Sequence, residues 1–233
     1  MPPYIGGAGM GMGPTLALAA LISAAVQTPQ GDDRALWLCE SARRVLGVDG
    51  VSLSLMRRVS GSRGLLAATD ATSAAMEAAD DVLGTGPTHL AAAGTRVVLR
   101  TSATAPPWSA LVTLFSGTAA PSWVVAVAVH DGTEEFGTLL VHTEHPALVQ
   151  DTAWISDVAE AVVVMLTAQA AEVWLEPALA AGDSTNRAVG VLMAEHRTSA
   201  TTALDLLRSR AFSAGTRLAD AAHLVLDTPR DNH

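Results

Sequence analysis

Two runs rich in β-branched residues, Trp123–Val129 and Phe136–His142, flank the hexapeptide His130-Asp131-Gly132-Thr133-Glu134-Glu135. Asp-Gly between alternating apolar runs is a strong short-range hairpin signal, because glycine reaches the positive φ that a tight turn requires. The two runs are therefore antiparallel neighbours, and any sheet in this chain must be built around them. Val51, Leu53 and Leu55 alternate with Ser52 and Ser54, the period of a half-buried strand. Gly61–Gly64 reads as a turn leading into a strand over Leu65–Thr69, and Arg96–Leu99 is a further strand.

Helical periods surround these strands. Leu16, Ala19, Ala20, Ser23 and Ala24 recur at i, i+3, i+4, i+7 and i+8, and Leu36, Cys39, Arg43 and Leu46 follow after a break at Pro29–Asp33, with Gly47 as the stop. Ala71–Leu83 is helical and ends in Gly84-Thr85-Gly86-Pro87, read as a turn before a short helix around His89–Ala93. Mixed strands and helices with a closing hairpin give an α+β fold, an antiparallel sheet with helices on its faces.

After Pro146 the strand signals stop. Asp151–Trp174 is one helical stretch whose stripe of Ile155, Val158, Val162, Met165 and Leu166 either packs on the sheet or meets a partner helix, and it is the candidate dimer surface. Pro177 interrupts it, Ala180–Thr185 reads as a loop, and three short helices follow: Arg187–Glu195, Ala200–Ser209 capped by Ser199, and Arg217–Leu226. The expected organisation is a disordered leader over 1–14, an α+β domain over 15–170, a small all-α three-helix domain over 171–228 and a tail over 229–233.

Composition narrows the chemistry. Charged residues are 16% of the 233, against about 25% in an ordinary globular chain. All 14 basic residues are arginine, so lysine-dependent phosphate loops and Schiff bases are excluded. The single cysteine, Cys39, excludes an intramolecular disulfide and a cysteine-built zinc site, and its place on an apolar helix face makes it a small buried hydrophobe. Gly6–Gly13 fits no phosphate-binding loop, no nucleophile or metalloprotease motif occurs, and His130, His142 and His145 read as loop or strand histidines rather than metal ligands. Neither an enzyme nor a metal or cofactor site is expected. Thr15–Val26 is too short for the ~20 residues of a spanning helix, and Met1–Pro14 lacks the basic residues of an export signal. A cytoplasmic protein with no membrane association is expected.

Charge is unevenly divided. Residues 1–185 carry 8 arginines against 18 acidic side chains, and residues 186–233 carry 6 against 5. Within the second part, Arg187-Ala188-Val189-Gly190-Val191-Leu192-Met193 is followed by Ala203, by Leu206-Leu207-Arg208 with Ala211, and by Arg217-Leu218 with Asp220 and Ala222. These offsets resemble the ANTAR domain, a three-helix RNA-binding module of bacterial antiterminators. Small Ala188, Gly190 and Ala203 would let helices approach closely, while Leu192, Leu207 and Leu218 would fill the core, with Met193, Ala211 and Ala222 completing the motif. Many members carry Lys where Val189 stands, Ser where Ala211 stands and Asn where Gly215 stands. The side chains left to hold RNA are Arg187, Arg197, Arg208, Arg210 and Arg217, whose guanidinium groups can grip phosphate or stack on unpaired bases.

The part ahead of it, from Leu16 to Ala168, resembles a GAF domain. The resemblance is carried by Leu46-Gly47-Val48-Asp49-Gly50-Val51, by Gly84-Thr85-Gly86-Pro87, where many members have Gly-Glu-Gly-Pro, and by Phe136-Gly137-Thr138-Leu139. It implies a sensor that binds a small molecule between sheet and helices or serves to dimerise, and it names no ligand. Together the two resemblances imply a homodimeric antitermination regulator that binds nascent hairpin RNA. A ligand-sensing or dimerising protein without RNA binding is one alternative, and a DNA-binding helix-turn-helix regulator is the other, since three short helices also describe that motif.

Overall fold

A computed structural model describes residues 13–29, 33–56, 63–94, 97–101, 120–131, 134–168 and 172–228. Residues 1–12 of the leader expected over 1–14, the tail beyond 228 and the boundary at 170/171 lie outside them, and Pro14 already belongs to the first helix.

The hairpin builds the sheet as expected. Strands β1 (Gly50–Met56), β2 (Arg63–Ala68), β3 (Val97–Arg100), β4 (Trp123–Asp131) and β5 (Glu134–Thr143) form one sheet in the order β2-β1-β5-β4-β3, every pair antiparallel. Val125 faces Val141 across the β4–β5 pair, Asp131 faces Glu134 at its closed end, and a bulge falls between Val129 and His130.

Helices cover both faces. α1 (Pro14–Gln27), α2 (Arg34–Leu46) and α5 (Thr152–Thr167) close over Val51, Leu53, Val125, Val127, Leu139 and Val141. α3 (Ala71–Leu83) and α4 (Pro87–Ala92) close over Val124, Ala126 and Leu140 through Met76, Ala79 and Ala91. Two expectations are corrected by this arrangement. β1 is not half-buried: Ser52 and Ser54, on its polar face, lie beneath α3 with almost no exposure. The α5 stripe is not a dimer surface, because Ile155, Val158, Val162 and Leu166 are spent on the sheet and on α1 and α2. Cys39 is buried among them, and burial pushes its thiol far above the ordinary range.

α6 (Glu172–His196) runs unbroken through Pro177 and the expected loop at Ala180–Thr185. A proline this near a helix start forfeits one backbone hydrogen bond, and an interior glycine costs only ~1 kcal/mol against alanine, so neighbouring alanines and leucines carry the helix through. α7 (Ala200–Ala214) begins at Ser199, whose Oγ accepts from Thr202 N at 3.2 Å, and α8 (Leu218–Asp227) follows Arg217 at its N-cap. The core shared by α6, α7 and α8 consists of Ala188, Leu192, Ala203, Leu207, Ala211, Ala221, Ala222 and Val225. Val82, from the last turn of α3, enters that same core.

Candidate nucleic-acid interface

Small residues set the spacing of the three-helix unit, and leucines fill it. Ala188, Leu192, Ala203, Leu207, Ala211 and Ala222 are wholly buried, as their motif positions imply, and Leu218 packs half-buried against them. Two motif residues sit elsewhere. Gly190 is exposed and a Cβ there would meet nothing within 4 Å, so no close helix approach depends on it. Met193 lies at the surface, 36% exposed. The departures from the resembled pattern also acquire places. Ala211 is inside the core, where a hydroxyl would face no RNA. Gly215 ends α7 in the left-handed conformation at φ 61, which asparagine also tolerates.

The five arginines do not converge. Arg187 is exposed on α6, roughly 13 Å along the helix axis from its C-terminal His196. Arg210 on α7 reaches back to that residue, its Nη2 lying 3.4 Å from His196 Nε2, and Arg197 follows His196 in the chain at φ 48. These three side chains are exposed and sit where α6 ends beside α7. His196, which the arginine-based sequence reading passed over, belongs to this group; its signal was a histidine in the last helical turn beside Arg197. Arg217 is 72% exposed at the α7–α8 turn and donates to Asp220 at 3.2 Å.

Arg208 points the other way. Its Nε donates to the backbone oxygen of Asp81 at 3.1 Å, its Nη1 lies 3.5 Å from Asp205, and its side chain is only 21% exposed. The guanidinium lies against Gly84: a Cβ on that glycine would stand 2.6 Å from Arg208 Cζ. A cleft of about 780 Å³ between β2–α3 and α7–α8 is lined by Arg63, Glu77, Asp81, Arg208, Arg217 and His223 among others.

Beneath α3 lies a buried charge cluster that the sequence reading missed. Glu77 accepts from Ser52 Oγ at 2.8 Å and from Ser54 Oγ at 3.1 Å, and Arg63 Nη2 lies 3.8 Å from it. Arg63 is 2% exposed and also donates to Ser54 and Thr138. Asp80 accepts from the backbone N–H of Thr88 at 2.7 Å and from its hydroxyl, and pairs with His89 Nδ1 at 3.1 Å. Burial raises the Glu77 carboxyl, and Arg63 and the serines only partly offset it. At Asp80 burial pushes the same way but loses to His89, Thr88 and Arg63, so this carboxyl sits below its ordinary range. Asp81 has no such set of donors, and burial, reinforced by the charges of Glu77 and Asp80, pushes it up to about 7 against the pull of Arg63 and Arg208. Space between sheet and α3 is thus occupied by the protein's own ionic side chains. Turn residues 84–87 serve the same cluster: Gly86 caps α4 so close to Asp80 that a Cβ would lie 1.7 Å from its Oδ1. His142 pairs with Asp70 at 2.9 Å. Among the described residues no group of three His, Cys, Asp or Glu side chains is placed to hold a metal ion, and no helix is long and apolar enough to cross a membrane.

With the geometry of these helices in view, comparison with known proteins finds one family model along the C-terminal unit. Residues 175–226 match the ANTAR domain. The match begins within α6 and ends in α8, so it takes in all three core-forming helices of the unit. No curated protein matches the chain. Among solved structures it is similar to the crystal structure of the GAF domain from Acinetobacter phosphoenolpyruvate-protein phosphotransferase, at 13% identity and a TM-score of 0.43, over 66% of this chain and 95% of that one.

Proposed function

We propose that this chain is a cytoplasmic transcription antitermination regulator that binds hairpin RNA through its ANTAR segment. The carrying observation is the family match at 175–226, laid on a unit whose core is built from Ala188, Leu192, Ala203, Leu207, Ala211 and Ala222 of that motif. Arg210, Arg197 and His196 at the end of α6, with Arg187 and Arg217 on the flanks, supply the cations. Guanidinium planes suit splayed loop bases, whereas the deep groove of duplex RNA gives side chains nothing to read. A unit of this size offers few contacts, so two copies acting on a pair of short hairpins raise each other's effective concentration, and a homodimer follows as part of the proposal.

Fluorescence anisotropy with a labelled RNA carrying two short hairpins, each with an unpaired loop, tests this at low salt against duplex DNA. Binding to the hairpins with weaker binding to the duplex supports it. Preference for the duplex would make the chain a helix-turn-helix DNA binder. The second reading, a sensing or dimerising protein without RNA binding, draws support from Arg208 and Arg217 being engaged by protein groups. It gains if the folded protein binds neither nucleic acid.

A further inference from the structure

The contact between α3 and the ANTAR segment has the form of a lock. Val82, 6% exposed, leaves the sheet domain to join the core built around Leu207, Ala203 and Ala188. Two residues on, Gly84 ends α3 at φ 67 and gives Arg208 a surface without a side chain, and the Asp81 carbonyl in the last turn of the same helix accepts a hydrogen bond from Arg208 Nε–H. The last carbonyls of a helix lack intrahelical donors and carry its negative dipole end, so a cation placed there is favoured twice. On its other side Arg208 Nη1 lies 3.5 Å from the Asp205 carboxylate, so an RNA phosphate brought to Arg208 in this arrangement would meet a like charge.

We propose that α3 is a cis-acting inhibitor: docked as seen, it withholds Arg208 from RNA, and the ANTAR segment reaches full affinity only when the end of α3 lets go. The inference rests on the RNA-binding reading above. RNA and α3 compete for one guanidinium, so docking lowers RNA affinity and RNA binding lowers docking by the same factor. The sheet domain thereby gains a lever on RNA, since α3 is clamped to it through the Glu77 and Asp80 networks.

The test uses the full chain with two variants, Val82→Asp, which puts a charge into the shared core, and Gly84→Ala, which puts a methyl group against Arg208. Hydrogen exchange reports docking and anisotropy on the two-hairpin RNA reports affinity. Expected is faster exchange at the end of α3 and in α7, unchanged protection in β1 and β5, and RNA affinity raised at least five-fold, the low end of typical coupling. Faster exchange with unchanged or weaker RNA affinity overturns the lock while leaving RNA binding intact. Unchanged exchange in both variants also overturns it, because the contact then holds nothing. If wild type and variants are folded and none binds the RNA, the RNA reading has failed and the lock falls with it.

Discussion

Asp80 and Asp81 are adjacent on α3, yet their carboxyls move in opposite directions. Asp80 collects donors from Thr88 and His89, which hold it ionised; Asp81, on the side of α3 that meets the C-terminal helices, lacks them and is pushed by burial up to about 7. Its ordinary value is 3.8, so the fold binds this proton more tightly than the unfolded chain does. The stability it contributes is complete below about pH 4 and is lost as pH rises through 7. Asp81→Asn keeps the neutral form at every pH. Thermal melts should therefore match wild type near pH 4 and exceed it by a few degrees at pH 8, flattening the pH dependence; equal melting temperatures at pH 8 would refute the burial argument. Gly86 offers a second residue-scale test. A methyl group there would strike the Asp80 carboxylate and displace it from Thr88, so Gly86→Ala should cost about 2 kcal/mol in a urea titration, the scale of a buried hydrogen-bonded group left unsatisfied.

At the scale of elements, much of the fold was legible and the exceptions have physical causes. The β4–β5 hairpin and α3, expected over Ala71–Leu83 and found there, were readable because helical period and turn glycines are local signals. The break at Pro177 and Gly182 was misread, since one lost hydrogen bond and one glycine do not outweigh the propensity of their neighbours. Ser52 and Ser54 looked solvated because strand alternation cannot tell water from a buried carboxylate. Their partner Glu77 is 25 and 23 residues away in sequence, and Thr138 is 84 from Ser54, so nothing in a short window joins them. The α5 stripe was correctly seen as apolar, but a stripe does not say which surface covers it. Leu166→Ala should accordingly act as a core deletion, costing about 2–5 kcal/mol while leaving the mass measured by light scattering unchanged. Ser199→Ala should cost about 1 kcal/mol through the lost cap of α7.

Over the whole molecule, an acidic sheet domain is joined to a segment holding six of the fourteen arginines, and the two halves meet along α3 and β2. Candidate RNA contacts were legible in part. The sequence identified the arginines, but their directions depend on which helix face meets α3, a tertiary fact that turned Arg208 inward and left Arg210 and Arg197 beside His196. The guanidinium–phosphate contacts make the proposed RNA binding sensitive to salt, since each phosphate neutralised releases a counterion. The most direct measurement is a titration of the two-hairpin RNA with the full chain across a salt series, for wild type and Arg210→Ala. Affinity should fall linearly on logarithmic axes, and the variant should bind more weakly with a slope reduced by about 0.7, the loss of one phosphate contact. Binding indifferent to salt, or a variant with the wild-type slope, would contradict an interface built on these guanidinium groups.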